Sequence, residues 1–210
     1  MHIPDGFLTA TTWGPAWLVS VVGLGACIRT AAAKLKDKMV PLMGVMSAFV
    51  FAAQMLNFPV VGGTSGHLLG GVLAAVMLGP WAGAIVLAVV LVVQCLIFQD
   101  GGLTALGANI LNMSFIGTLG GYAVFAILKK ILGKKLLLAA AAAAAWLSVV
   151  LASTACSLEL VLSGTAPFNV VFPAMLGVHV LIGIGEAIIT TFVLSFVLKV
   201  RPDLVEVSHE

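Results

Sequence analysis

The chain has 210 residues, 61% of them hydrophobic and 9% charged, with a formal net charge of +2 and a mean hydropathy of +1.20. A soluble domain carries roughly 25% charged residues, so this composition defines an integral membrane protein, and about seven spans of roughly 20 residues would use nearly the whole length. No room remains for a soluble catalytic or nucleotide-binding domain, and without a GxxxxGK[ST] phosphate loop the chain cannot hydrolyse ATP by that route.

The chain opens MHIPDGFLTA. Met1 to Trp17 contains neither Lys nor Arg and carries Pro4 and Asp5, unlike the basic leader of a signal peptide, so this segment is expected to be retained. His2 is too large to favour removal of the initiator, and Met1 is expected to keep its free amine. Hydropathy then predicts an all-α bundle in a single membrane domain, with spans near 13–33, 39–57, 67–79, 81–98, 105–128, 136–163 and 170–199. The third and fourth are nearly continuous; one helix over 67–98 would run to about 48 Å, against roughly 30 Å of hydrocarbon. Gly79-Pro80 supplies the break. The seven Ala of 139–145, and the glycines at 117, 120, 121, 183 and 185, read as close helix packing.

Charge placement tests the count. All Lys and Arg fall in three clusters: Arg29, Lys34, Lys36 and Lys38; Lys129, Lys130, Lys134 and Lys135; Lys199 and Arg201. Seven spans put every cation on one face, which the positive-inside rule makes cytoplasmic, with the N-terminus outside and the C-terminus in the cytoplasm. The outer face then collects MHIPDGFLTA and the linkers 57–66, 99–103 and 163–169, with Asp5 and Asp100 and no basic residue. Such a surface suits a cationic substrate.

The first dipeptide is a chelator. The Met1 amine, the His2 amide nitrogen and His2 Nδ1 close a five- and a six-membered ring around one ion, placing three nitrogens in a plane. A fourth nitrogen completes a square that favours Ni(II) or Cu(II), with Co(II) second. His209 lies in the cytoplasmic tail, His179 about ten residues into the last span, and His67 follows GGTSG at the outer end of the third, which makes His67 the natural partner. The competing reading is a solvated His2 and a His67 that merely ends a helix. Cys27, Cys95 and Cys156 are odd in number and far apart, against a disulfide framework or a thiolate site.

MHIPDGFL at the start and GGTSGHLLGG over 62–71 resemble the CbiM/NikM family, the substrate-binding S-components of energy-coupling factor transporters for nickel and cobalt. The resemblance implies a metal-binding segment at 1–12 inserted into the bundle, and capture of Ni(II), or Co(II), by Met1, His2 and His67. It implies a prokaryotic plasma-membrane location and partners: a transmembrane coupling protein of the EcfT/CbiQ type, ATPases of the CbiO/NikO type and a small accessory membrane protein. S-components contact the coupling protein through small residues, for which Ala48 and Ala52, one helical turn apart, are candidates; ordinary bundle packing explains them equally well.

Asn57, Thr64, Ser65, Gln99, Asp100, Asn109 and Asn112 stand near outer span ends, where they can orient the N-terminal segment or simply cap helices; Asn57, Ser65 and Gln99 are the chosen three. Glu159 and Glu186 are intramembrane carboxylates, and Glu186 follows His179 by seven residues on one helical face, so that a hydrogen-bonded pair is open to them. A structural or protonated role is favoured for both. The alternative function is a self-contained cation channel or secondary transporter working through His179, Glu186 and Glu159.

Overall fold

The computed structural model describes residues 1–34, 39–61 and 64–205. His209, Lys36, Lys38, Gly62 and Gly63 lie outside the described residues. Helix α1 (Ala10–Ala32) is followed by α2 (Met39–Gln54), a two-stranded ribbon of β1 (Phe58–Val60) and β2 (Thr64–Gly66), α3 (Gly71–Leu78) and α4 (Pro80–Phe98). Next, α5 (Leu106–Ile110), a π-helical stretch (Leu111–Gly120) and α6 (Gly121–Leu132) form one continuous helix, before α7 (Leu137–Leu162) and α8 (Phe168–Val200). Five of these helical units are long and apolar enough to cross a membrane. The protein is an all-α multi-pass membrane protein, with one small antiparallel ribbon that hydropathy did not anticipate; Pro59 pairs with Ser65 and Phe58 with Gly66.

A helix occupies each expected span, but the third differs in kind. α3 has only eight residues, roughly 12 Å of helix, and all eight are buried. It is a core helix enclosed by its neighbours, reached by the extended stretch through His67, and a hydropathy window cannot tell such a helix from a lipid-facing one. Gly79 turns the chain with φ 83°, and Pro80 starts α4 at the one helical position where a missing N–H costs nothing.

Small residues bring the helices together. In the alanine run of α7, Ala140, Ala141, Ala144 and Ala145 are buried. A Cβ on Gly121 would meet Ser148 at 2.8 Å, and one on Gly183 would meet Trp146 at 2.9 Å, so both are true close approaches. Gly120 and Gly185 differ, with only ordinary contacts at 3.7 and 3.8 Å. Leu18, Val22, Ile97, Ile131, Leu162, Leu181 and Phe192 point outward, as a lipid-facing surface requires.

The N-terminal segment packs at one end of the bundle against the chain at 64–67, 99–105 and 163–165. Thr9 N–H donates to Ser163 Oγ, Thr165 Oγ1 to the Phe7 carbonyl, and Leu103 N–H to Asp5. Helices α1, α5–α6 and α8 all begin at this end. Arg29, Lys129, Lys130 and Lys199 occupy their last turns, so these cations gather at the opposite end.

Candidate metal centre

Residues 1–5 are fastened along their length. Ile3 N–H donates to Asn109 Oδ1 at 2.9 Å, and Asn109 Nδ2 returns a bond to the Ile3 carbonyl at 3.2 Å. Gly102 N–H donates to the same carbonyl at 2.8 Å. Asp5 accepts from Thr104 N–H at 2.7 Å, Thr104 Oγ1 at 2.5 Å and Leu103 N–H at 3.1 Å. The apolar residues supply the rest: Met1 and Ile3 are wholly buried in a cluster with Leu160, Met175 and Val149.

This strap delivers the amino terminus to Ser65. The Met1 amine donates to Ser65 Oγ at 2.9 Å and to the Ser65 carbonyl, while the His2 amide N–H donates to Ser65 Oγ at 3.1 Å. His67, two residues on, brings its ring to 4.5 Å from that of His2, edge to face at 73°. His67 Nδ1 bonds the Leu68 carbonyl at 2.7 Å, which makes Nδ1 the protonated nitrogen and leaves Nε2 its lone pair. His2 Nε2, His67 Nε2 and His179 Nε2 are all buried without a hydrogen-bond partner. Buried polar atoms are nearly always paired, so orphaned imidazole nitrogens beside a buried amine are what a nitrogen-ligand pocket looks like. Asp100 and Gln99 line, with His2, Asp5 and Ser65, a cavity of about 620 Å³ leading to the outside of the bundle.

Of the residues singled out from sequence, Met1, His2, His67 and Ser65 come together. Gln99 lines the cavity but is itself exposed, in a left-handed conformation (φ 55°) that ends α4. Asn57 is exposed in the turn between α2 and β1 and has no place in the cluster. Thr64 donates to Met175 Sδ, and Asn109 proves to be the main anchor of the strap. One geometric expectation differs: His2 Nδ1 faces the Asp100 carbonyl at 3.0 Å and the Asp100 carboxylate at 3.4 Å instead of the dipeptide's own amide.

His179 and Glu186 do not pair. His179 Nδ1 bonds the Met175 carbonyl one turn back at 2.7 Å, and the Glu186 carboxylate accepts from Leu69 and Gly70 N–H. Spacing of seven puts two residues on one face without making their side chains meet, because each found a nearer backbone partner. Glu159 accepts from Asn112 Nδ2 at 2.6 Å, a contact offered by the π-helical stretch. Ala48 and Ala52 lie exposed on α2, with Val45 exposed one turn before Ala48. Sequence reading passed over Gln54 and Gln94, both fully buried in apolar helices. An isolated amide in such a helix was the available signal.

Burial in the strap lowers the Met1 amine from 8.0 to about 5 and His2 from 6.5 to about 4. In each case the cause is loss of solvent around the charged form, with Asp100 opposing it. The docked segment therefore prefers its neutral nitrogens, the undocked chain binds more protons below pH 8, and docking weakens as pH falls. Acid is expected to release the segment progressively between pH 8 and pH 4, as measured by the protease accessibility of residues 1–5 across that range. A second expectation concerns packing: a Cβ on Gly102 would stand 2.5 Å from Asp5 Oδ1 and 2.6 Å from the Pro4 carbonyl carbon. Gly102→Ala should cost the folded chain about 1–3 kcal/mol, read as a lower melting temperature.

These helices and this buried terminus define a multi-pass membrane protein with a nitrogen-rich pocket at one end. Residues 2–204 match the CbiM model, described as the cobalt uptake substrate-specific transmembrane region. The chain belongs to that family of transition-metal transport proteins. It is 41% identical over 208 residues to a putative fused nickel transport protein NikMN of Archaeoglobus fulgidus, covering 98% of this chain and 68% of that one. It is 39% identical to a putative metal transport protein of Haloquadratum walsbyi, over 100% of this chain and 95% of that one. A crystal structure of a truncated transition metal transporter, 35% identical, superposes with a TM-score of 0.89 over 95% of this chain and 99% of that one.

Proposed function

We propose that this chain is the metal-capturing S-component of an ATP-driven importer for Ni(II), with Co(II) as a second cargo. The observation that carries the reading is the buried, unpartnered Nε2 of His67 set against the His2 ring and the Met1 amine. The ion takes the amine, the His2 amide and imidazole, and His67 Nε2. Ser65 holds the amine and amide side by side, and both give up their bonds to Ser65 on coordination. The amide loses its proton to become a ligand, so metal binding releases protons. Four nitrogens around a square suit nickel.

The acidic cavity lies at the end opposite the cations, which under the positive-inside rule is the outer face of a prokaryotic plasma membrane. ATP hydrolysis then belongs to CbiO/NikO-type partners, reached through an EcfT/CbiQ-type coupling protein, with a small accessory membrane protein completing the complex. The exposed Ala48–Ala52 face is a fitting contact for the coupling protein. The test is reconstitution of nickel uptake in vesicles with and without those partners. Uptake that requires both the partners and ATP supports the reading; uptake by this chain alone, lost in His179→Ala, would establish the self-contained transporter instead.

A further inference from the structure

The segment that carries His67 is held from both sides by buried side chains of two long helices. From α8, Glu186 accepts the Leu69 N–H through Oε2 at 2.8 Å and the Gly70 N–H through Oε1 at 2.6 Å. From α2, Gln54 Nε2 donates to the Leu69 carbonyl at 2.9 Å. Glu186 is 2% exposed and Gln54 wholly buried. The turn itself has no slack: Gly70 adopts φ 77°, and a Cβ there would stand 2.8 Å from Val50 of α2. His67 is tied to the same stretch through its Nδ1 bond to the Leu68 carbonyl.

We propose that Glu186 and Gln54 are positioning residues of the metal site, clamping the 68–70 backbone so that His67 Nε2 is aimed at the ion. This rests on the site reading above. A carboxylate is the right group for two converging N–H donors: it offers an acceptor oxygen to each, whereas a carboxamide offers one and sets its NH₂ against the second. Placing such a group in apolar surroundings is costly, and the two short bonds to the His67 segment are where it acts. Gln54 then fixes the opposite face of the same peptide. His67 is thereby referenced to α2 and α8.

Glu186→Gln preserves side-chain size and is expected to weaken nickel affinity by about 10- to 100-fold, the range for partners that orient a ligand. The nickel d–d absorption band should shift with it, because His67 no longer holds its place in the ligand field. Thr190→Ala, one turn along α8 and buried but outside the clamp, should leave affinity and band unchanged. Where Glu186→Gln does not fold, Gln54→Leu tests the other jaw, with the same direction and band shift. Nickel bound by the unaltered chain but equally by the clamp variants, with an unshifted band, would overturn the clamp. An affinity loss shared by Thr190→Ala with an unshifted band would reduce Glu186 to α8 packing and overturn it too. If the unaltered chain binds no nickel at all, the site reading itself falls, a result distinct from either.

Discussion

A chain carrying even two residues ahead of Met1 is expected to lose stoichiometric nickel binding while its helices remain folded. Extension converts the Met1 amine into an amide nitrogen in the middle of a peptide, so the five-membered chelate ring loses its basic donor. Space opposes the change as well. The Met1 side chain is completely buried and its nitrogen lies against Ser65, so added residues must either enter the bundle or pull the terminus out. Four-ligand metal sites bind with roughly 10–16 kcal/mol in all; about a quarter of that per nitrogen is roughly a 10²- to 10³-fold loss. Withdrawal of His2 along with the terminus adds to it. Metal analysis of the purified native and extended chains, together with circular dichroism to follow the helices, checks this. An extended form that retained one nickel per chain would remove the amine from the ligand set.

His67→Ala is the second large effect. It removes the nitrogen that closes the square and leaves the dipeptide chelate otherwise intact, so nickel affinity should again fall by roughly 10²- to 10³-fold. It also has a structural cost, because the imidazole is fully buried and its loss leaves a cavity and a Leu68 carbonyl without the Nδ1–H donor. The expected signature is therefore a large drop in calorimetric affinity accompanied by a lower melting temperature. His179→Ala is the comparison: His179 Nδ1 bonds the Met175 carbonyl, its Nε2 is also buried without a hydrogen-bond partner, and it lies within electrostatic reach of His67 and the Met1 amine. Nickel affinity retained in His67→Ala and lost in His179→Ala would put His179 in the ligand set in place of His67.

Several of the residues that now matter were visible in the sequence because their chemistry is local. A terminal amine followed by a histidine makes a chelate whatever the fold, and GGTSGH marks a turn delivering an imidazole. Asn57 and Gln99 stand out in the sequence by position alone, and position near a span end says nothing about direction: Asn57 is exposed outside the cluster, while Gln99 turns outward at the end of α4. Asn109 stood in the same group without distinction and became the anchor of Ile3 because α5 places it opposite the strap. The orientation of His2 Nδ1 toward Asp100 likewise depends on a residue 98 positions away.

Taken by itself, the sequence determined that the protein is an apolar helical bundle, that a helix starts at Gly79-Pro80, and at which helix ends its cations cluster. Each of these follows from composition, periodicity or bonds between adjacent residues. Tertiary structure alone decided that α3 is an enclosed half-length helix, that Glu186 reaches across to Leu69 and Gly70 and not to His179, and that Ser65 receives the amino terminus. Those outcomes depend on which backbone group each buried polar side chain meets first once the helices pack. In a bundle with so few polar partners, that choice is made by three-dimensional proximity, which spacing along the chain does not encode.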